Sequence, residues 1–185
     1  MLYIITALKS EAQAYVDKYR LSKSKLGNFV LFSNEDMFLL VSGMGVLNAR
    51  LATQALINQY DITDDDTYLN VGICGASREY EIGSLLEIGS ISYDGIYYTF
   101  KDSIEEISCV DEEISENSYT IVDMESYGFY DAVIHNPAIK NFFIFKVVSD
   151  HFEPHKVTKD RTKKLISKNI DVINTLINRT KVPSP

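Results

Sequence analysis

Three carboxylates in this chain stand where a helix begins or a strand ends, and a carboxylate there can do proton chemistry. The run Ile144-Phe145-Lys146-Val147-Val148 is apolar and β-branched and leads directly into Ser149-Asp150. Its length and lack of alternation predict a strand buried on both faces. In open α/β sheets, ligands gather at the carboxyl ends of such strands. An acid delivered there beside a hydroxyl is placed for proton transfer, although Ser149-Asp150 also reads as a strand-end turn or helix cap. Glu11 opens a predicted helix just after the first strand, and reads equally as a first-turn acid favoured by the helix dipole. Glu125 follows Met124 within Ile121-Val122-Asp123-Met124-Glu125-Ser126-Tyr127. A partly buried carboxylate in so apolar a setting is costly unless it is hydrogen-bonded or shifted in pKa.

The elements that must position these acids follow from periodicity. Leu2 to Leu8 predicts a first strand, and Ser10 to Arg20 a helix with Ala12, Tyr15, Val16 and Tyr19 on one stripe. Asn28 to Ser33 and Met37 to Ser42 predict a hairpin, followed by Ser42-Gly43-Met44-Gly45 and a helix over Val46 to Tyr60. Tyr68 to Val71 predicts a short buried strand running into Gly72-Ile73-Cys74-Gly75-Ala76, and Ile82 to Thr99 two or three strands. The acidic stretch Lys101 to Ser118 reads as a solvated loop. Ile121 to Ile134 reads as a helix after a brief extended lead, and Asp160 to Thr180 as an amphipathic terminal helix. The alternation predicts a single-domain, three-layer α/β fold over residues 1–180, with a central mixed, twisted sheet flanked by helices and a frayed tail at 181–185. Glycines at two strand ends let the backbone approach a ligand, or let a helix pack tightly on the sheet.

Composition narrows the function. A net charge of -8 over 185 residues argues against nucleic acid and anionic membrane as partners. No apolar run has membrane-spanning length, and the N-terminus carries no basic leader, so a cytoplasmic soluble protein is expected. Cys74 and Cys109 make no metal or redox spacing, and Pro154 interrupts the pair His151 and His155. No metal and no cofactor are expected. The histidines, His135 included, read as structural or surface residues, with His151 or His155 as alternative contacts to a sugar 5′ group.

Four segments, in order, resemble the nucleoside phosphorylase and nucleosidase superfamily, and most resemble its 5′-methylthioadenosine/S-adenosylhomocysteine nucleosidase branch. They are Thr6-Ala7-Leu8-Lys9-Ser10-Glu11-Ala12, Val41 to Ala49 with Ala52-Thr53-Gln54, Asn70 to Ala76, and Val122-Asp123-Met124-Glu125 with Val147-Val148-Ser149-Asp150. The resemblance implies cleavage of the N-glycosidic bond of a purine nucleoside through an oxocarbenium-like sugar. Asp150 then matches the general acid, oriented by Ser149; Glu125 matches the ligand of the ribose hydroxyls; Glu11 matches the acid that activates water. It also implies substrate contacts from Leu8, Met44, Gly45, Gly75, Met124, Ile114 and Lys146, with Leu8 and Met44 lining an apolar 5′ pocket. Homo-oligomers, dimers above all, are the usual assemblies.

The same comparison separates water from phosphate as the nucleophile. Asn70 and Ile73 stand where phosphorylases carry Arg and Ser, and the N-terminal segment is of the nucleosidase type. Lys9 and Arg50 are the substitutes for a phosphate-binding arginine, and no motif places either one. The chain departs from the family between Gly75 and Met124, which is shortened. Glu113 stands where an aromatic usually stacks on the base, with Tyr98, Phe100 and Phe152 as substitutes. Lys146 stands where an arginine is usual. A nucleoside hydrolase acting on a purine nucleoside is the leading expectation, with 5′-thio-adenosines among its candidate substrates. A nucleoside- or base-binding protein without turnover, and a phosphate-dependent phosphorylase, are the alternatives.

Overall fold

The computed structural model describes residues 1–102, 104–115 and 118–180; the expected tail at 181–185 lies outside them. The elements run β1 (Leu2–Thr6), α1 (Lys9–Tyr19), β2 (Ser22–Leu26), β3 (Phe29–Ser33), β4 (Met37–Val41), α2 (Val46–Gln59) and β5 (Thr67–Ala76). They continue with β6 (Leu85–Tyr93), β7 (Ile96–Thr99), β8 (Glu105–Cys109), β9 (Ile121–Asp123), α3 (Ser126–Ile134), β10 (Asn141–Asp150) and α4 (Lys159–Thr180). This is a single-domain α/β fold with a central mixed sheet.

Four strands, β4, β1, β5 and β10, lie side by side and parallel, so their carboxyl ends share one edge. The hairpin strands β3 and β2 extend the sheet beyond β4 in antiparallel fashion. On the other side the sheet curls back on itself: β10 pairs β6, β6 pairs β8, β8 pairs β9, and β9 returns to the end of β5. The central mixed sheet is as expected, and its partial closure is a feature the sequence reading did not include. The closure needs β8, a strand inside the acidic stretch that reads as loop. Its Ile107 and Cys109 are buried while Glu105, Glu106 and Ser108 are less so, and that short alternation is diluted by acids. The strand β2 was also missed, because Ser22-Lys23-Ser24-Lys25 is exposed and polar, as suits an edge.

Alternation sorts the strand residues between two layers. Phe143, Phe145 and Val147 of β10 and Leu69 and Val71 of β5 join Tyr15 of α1 and Leu165, Ile166 and Ile170 of α4. Ile144 and Val148 face the other way, towards Val46, Ala52 and Leu56 of α2 and Phe129 and Val133 of α3. On this second face α3 crosses α2 closely. A Cβ on Gly128 would stand 2.0 Å from the carbonyl oxygen of Val46, so only glycine fits at the crossing. That contact fixes the start of α3 against the start of α2, and both starts open onto the carboxyl edge of the sheet.

Candidate active site

Glu11 is the third residue of α1, and it reaches back to accept the Leu8 amide on Oε2 at 2.8 Å. This is the reciprocal bond of a helix N-terminus. Its Oε1 accepts the Ile73 amide at 2.9 Å, which ties α1 to the end of β5. The side chain is 2 % exposed. Burial raises its pKa, against the opposing pull of the Leu8 and Ile73 amides and of Lys146. The carboxylate lies so close to β5 that a Cβ on Gly72 would stand 3.0 Å from Oε1 and 3.4 Å from Lys146 Nζ.

Glu125 precedes α3, and its Oε1 accepts the Gly45 amide at 2.9 Å. Burial pushes its pKa up to about 7, and Asp123 and Glu11 add to the rise while Lys146 and the Gly45 amide oppose it. Asp150 ends β10 after a bulge: Val148 pairs with Cys74 and Asp150 with Gly75, leaving Ser149 as the extra residue. Bulges re-aim side chains next to active sites. The Ser149 hydroxyl lies 3.0 Å from the Cys74 carbonyl and 2.7 Å from Asp150 Oδ2. Donating towards both acceptors, Ser149 ties the Asp150 carboxyl to the end of β5. Asp150 Oδ1 accepts the Glu153 amide at 2.7 Å. That reach requires Phe152 at φ 58°, a left-handed conformation costly for a bulky residue.

The three acids come together. Glu11, Glu125 and Asp150 line one cavity of about 280 Å³ at the carboxyl edge of the parallel strands, with Ser149 beside them. Leu8, Met44, Gly75, Met124 and Ile114 also line it. Gly45 is not on the wall; its amide holds Glu125 in place. Lys146 is likewise behind the wall, a correction to its reading as a substrate contact. It is 1 % exposed, and its ammonium pairs with Asp123 at 2.6 Å. Burial works against that charge, but Asp123, Glu125 and Glu11 outweigh it and hold the ammonium protonated.

Asp123 is the residue whose role sequence reasoning missed. Beyond Lys146, it accepts the Ser126 amide at 2.9 Å and the Ser126 hydroxyl at 2.6 Å, capping the start of α3. An aspartate just ahead of a helix was a visible capping signal. The stacking surface expected from Tyr98 or Phe100 is not in the cavity. Both rings pack on Tyr130, Tyr98 also meeting Tyr127 and Phe100 meeting Phe142, because β7 and the turn after it lie over α3. Phe152 is buried against Gly75 instead of lining the wall. Arg50 pairs with Asp131 at 2.7 Å and lies over the Tyr127 ring; neither it nor Lys9 lines the cavity. His151 Nδ1 bonds to the Ala76 carbonyl at 3.0 Å and His135 Nδ1 to the Asp131 carbonyl at 2.7 Å. None of the three histidines lines the cavity. Among the described residues no group of acids, histidines and cysteines could hold a metal ion, and no helix is long and apolar enough to cross a membrane.

No family model and no curated protein matches the chain. Solved structures do. A futalosine hydrolase of Helicobacter pylori superposes with a TM-score of 0.77 at 14% identity, over 96% of this chain and 97% of that one. A 5′-methylthioadenosine/S-adenosylhomocysteine nucleosidase of the same organism, bound to butyl-thio-DADMe-Immucillin-A, gives 0.75 at 13%, over 96% and 97%. The corresponding nucleosidase of Neisseria meningitidis, in complex with methylthio-immucillin-A, gives 0.72 at 16%, over 97% and 98%. The chain thus shares its fold with these two nucleosidases and this futalosine hydrolase.

Proposed function

We propose that this chain is a metal-free, cofactor-free nucleosidase that hydrolyses the N-glycosidic bond of a purine nucleoside to free base and sugar. The observation that carries the reading is the convergence of Glu11, Glu125 and Asp150, from three elements, on one cavity. Asp150 donates its proton to a ring nitrogen of the base as the C1′–N bond breaks and its electron pair leaves with the base. Glu125, ionised, accepts the ribose hydroxyls and faces the positive charge growing on the sugar. Glu11 takes a proton from the water whose oxygen bonds to C1′. Two carboxylates and one carboxylic acid around a sugar ring suffice for such a reaction. Leu8 and Met44 suit an apolar 5′ group, so 5′-methylthioadenosine and S-adenosylhomocysteine belong in the first substrate panel.

A second reading, a protein that holds a nucleoside without cleaving it, draws support from one feature: among the described residues no aromatic side chain lines the cavity. The base would be gripped by Val110, Ile114, Val122 and Met124 alone. Phosphorolysis has less support, since among the described residues no cationic side chain stands on the wall to hold phosphate. Free-base release from a panel of purine nucleosides, with and without phosphate, tests the proposal. Release independent of phosphate is expected. Binding without release favours the second reading, and release only with phosphate the third.

Met44, Leu47 and Leu51 are exposed at the start of α2, close to the cavity, and a homodimer covering them is the expected assembly in a cytoplasmic setting. Sedimentation at micromolar concentration tests it; a monomer mass there contradicts it.

A further inference from the structure

The charge on the cavity wall restricts which nucleosides can enter, and this inference rests on the nucleoside site proposed above. Six carboxylates line the cavity: Glu11, Glu112, Glu113, Asp123, Glu125 and Asp150. No lysine, arginine or histidine is on its wall among the described residues. The cation nearest the cluster, Lys146, is sealed behind the wall and engaged by Asp123. Lys156, between Pro154 and Val157 of the wall, is held by Glu153. Four of the six acids are buried and already have partners or a part in the chemistry. Glu112 and Glu113 differ: they are exposed, and neither is bound to a cationic side chain in any ion pair found among the described residues. They sit on the segment that follows β8, beside Val110 and Ile114 of the same wall.

We propose that Glu112 and Glu113 make the cavity mouth an anion-excluding filter, so that the substrate is a nucleoside whose 5′ group is neutral, zwitterionic or cationic and not a nucleotide or another nucleoside whose 5′ group carries net negative charge. A cleft lined by one sign of charge focuses its field and depletes ligands of the same sign. A phosphate or carboxylate brought to this wall meets no compensating donor of positive charge. Discrimination then arises from repulsion of the wrong ligand as much as from contacts to the right one. Because the two glutamates are exposed, the effect is open to screening by salt, with a Debye length of about 10 Å at 0.1 M.

The test compares a purine nucleoside with its own 5′-monophosphate, in the intact chain and in a Glu112→Gln/Glu113→Gln double variant. Both kcat/KM and the dissociation constants of a non-cleavable analogue pair are measured at low and high salt. The intact chain is expected to favour the nucleoside at least a hundredfold at low salt, and the double variant or high salt to narrow that ratio at least tenfold. Circular dichroism and thermal unfolding matched to the intact chain show that the variant is folded, and the ratio of the two ligands, not the absolute rate on either, reads the filter. Equal use or equal binding of the monophosphate overturns the filter alone, as does a ratio unchanged in the double variant. Charge-selective binding without turnover overturns only the hydrolytic reading and supports the filter. Binding of neither ligand removes both.

Discussion

At the scale of single residues, the account places three acids in three different electrostatic settings. Asp150 is tied to Ser149 and the Glu153 amide, and it is the group assigned to donate a proton. Asp150→Asn keeps the shape and removes that proton; kcat is expected to fall by about 10²–10⁴-fold with the fold intact by circular dichroism, and near-normal turnover would refute the role. Glu125 must be ionised to accept ribose hydroxyls, yet burial raises its pKa to about 7. Activity should therefore rise with pH through a limb near 7. Stability should move the other way. A carboxyl whose folded pKa is raised binds more protons folded than unfolded, so its contribution is full below the ordinary carboxylate range and is lost as pH climbs through about 7. Glu11 is shifted in the same direction. Chemical denaturation from pH 5 to 8 checks this, and Glu125→Gln should flatten part of the slope. Lys146 supports both acids from behind. Lys146→Met strands Asp123 in the interior and should cost about 3–5 kcal/mol, with Asp123→Asn added to it recovering part of the loss.

At the scale of elements, the site depends on helix starts held at one sheet edge. The closest approach is where Gly128 of α3 meets the Val46 carbonyl of α2. Gly128→Ala must separate the helices, at a cost of about 1–3 kcal/mol for an overpacked contact, and it should stretch the bond from Gly45 to Glu125. A loss of substrate affinity larger than the loss of stability implies is the expected signature; an unchanged KM would argue against this coupling. Much of this arrangement was legible in the sequence. Buried runs such as Ile144 to Val148 and the stripe of α4 through Ile166, Ile170 and Ile173 carry strong periodic signals, and the three acids stand next to them. The rest was not legible for physical reasons. The strand β5 continues through Gly72 and Gly75, which read as a turn because glycines have low strand propensity, yet pairing with β10 on one side holds them extended. The bulge at Ser149 and the left-handed Phe152 are set by tertiary pairing and leave no local mark. Lys146 read as a ligand contact because it stands where the resembling family carries an arginine, and its ammonium proved to be engaged in a buried ion pair.

At the scale of the whole molecule, a strongly acidic chain folds into a layered domain whose parallel strands direct four carboxyl ends at one cavity, while a curled sheet closes its far side. The buried Lys146 ammonium offsets part of the negative charge that the chemistry requires, and the rest faces the ligand. The central claim is that Glu11, Glu125 and Asp150 act around one sugar ring. A crystal structure of this chain with a non-cleavable nucleoside analogue tests it most directly. The account predicts both ribose hydroxyls within hydrogen-bond distance of Glu125, a ring nitrogen of the base on Asp150, and a water between Glu11 and C1′. An analogue seated elsewhere, or seated with its sugar away from Glu125, would contradict it.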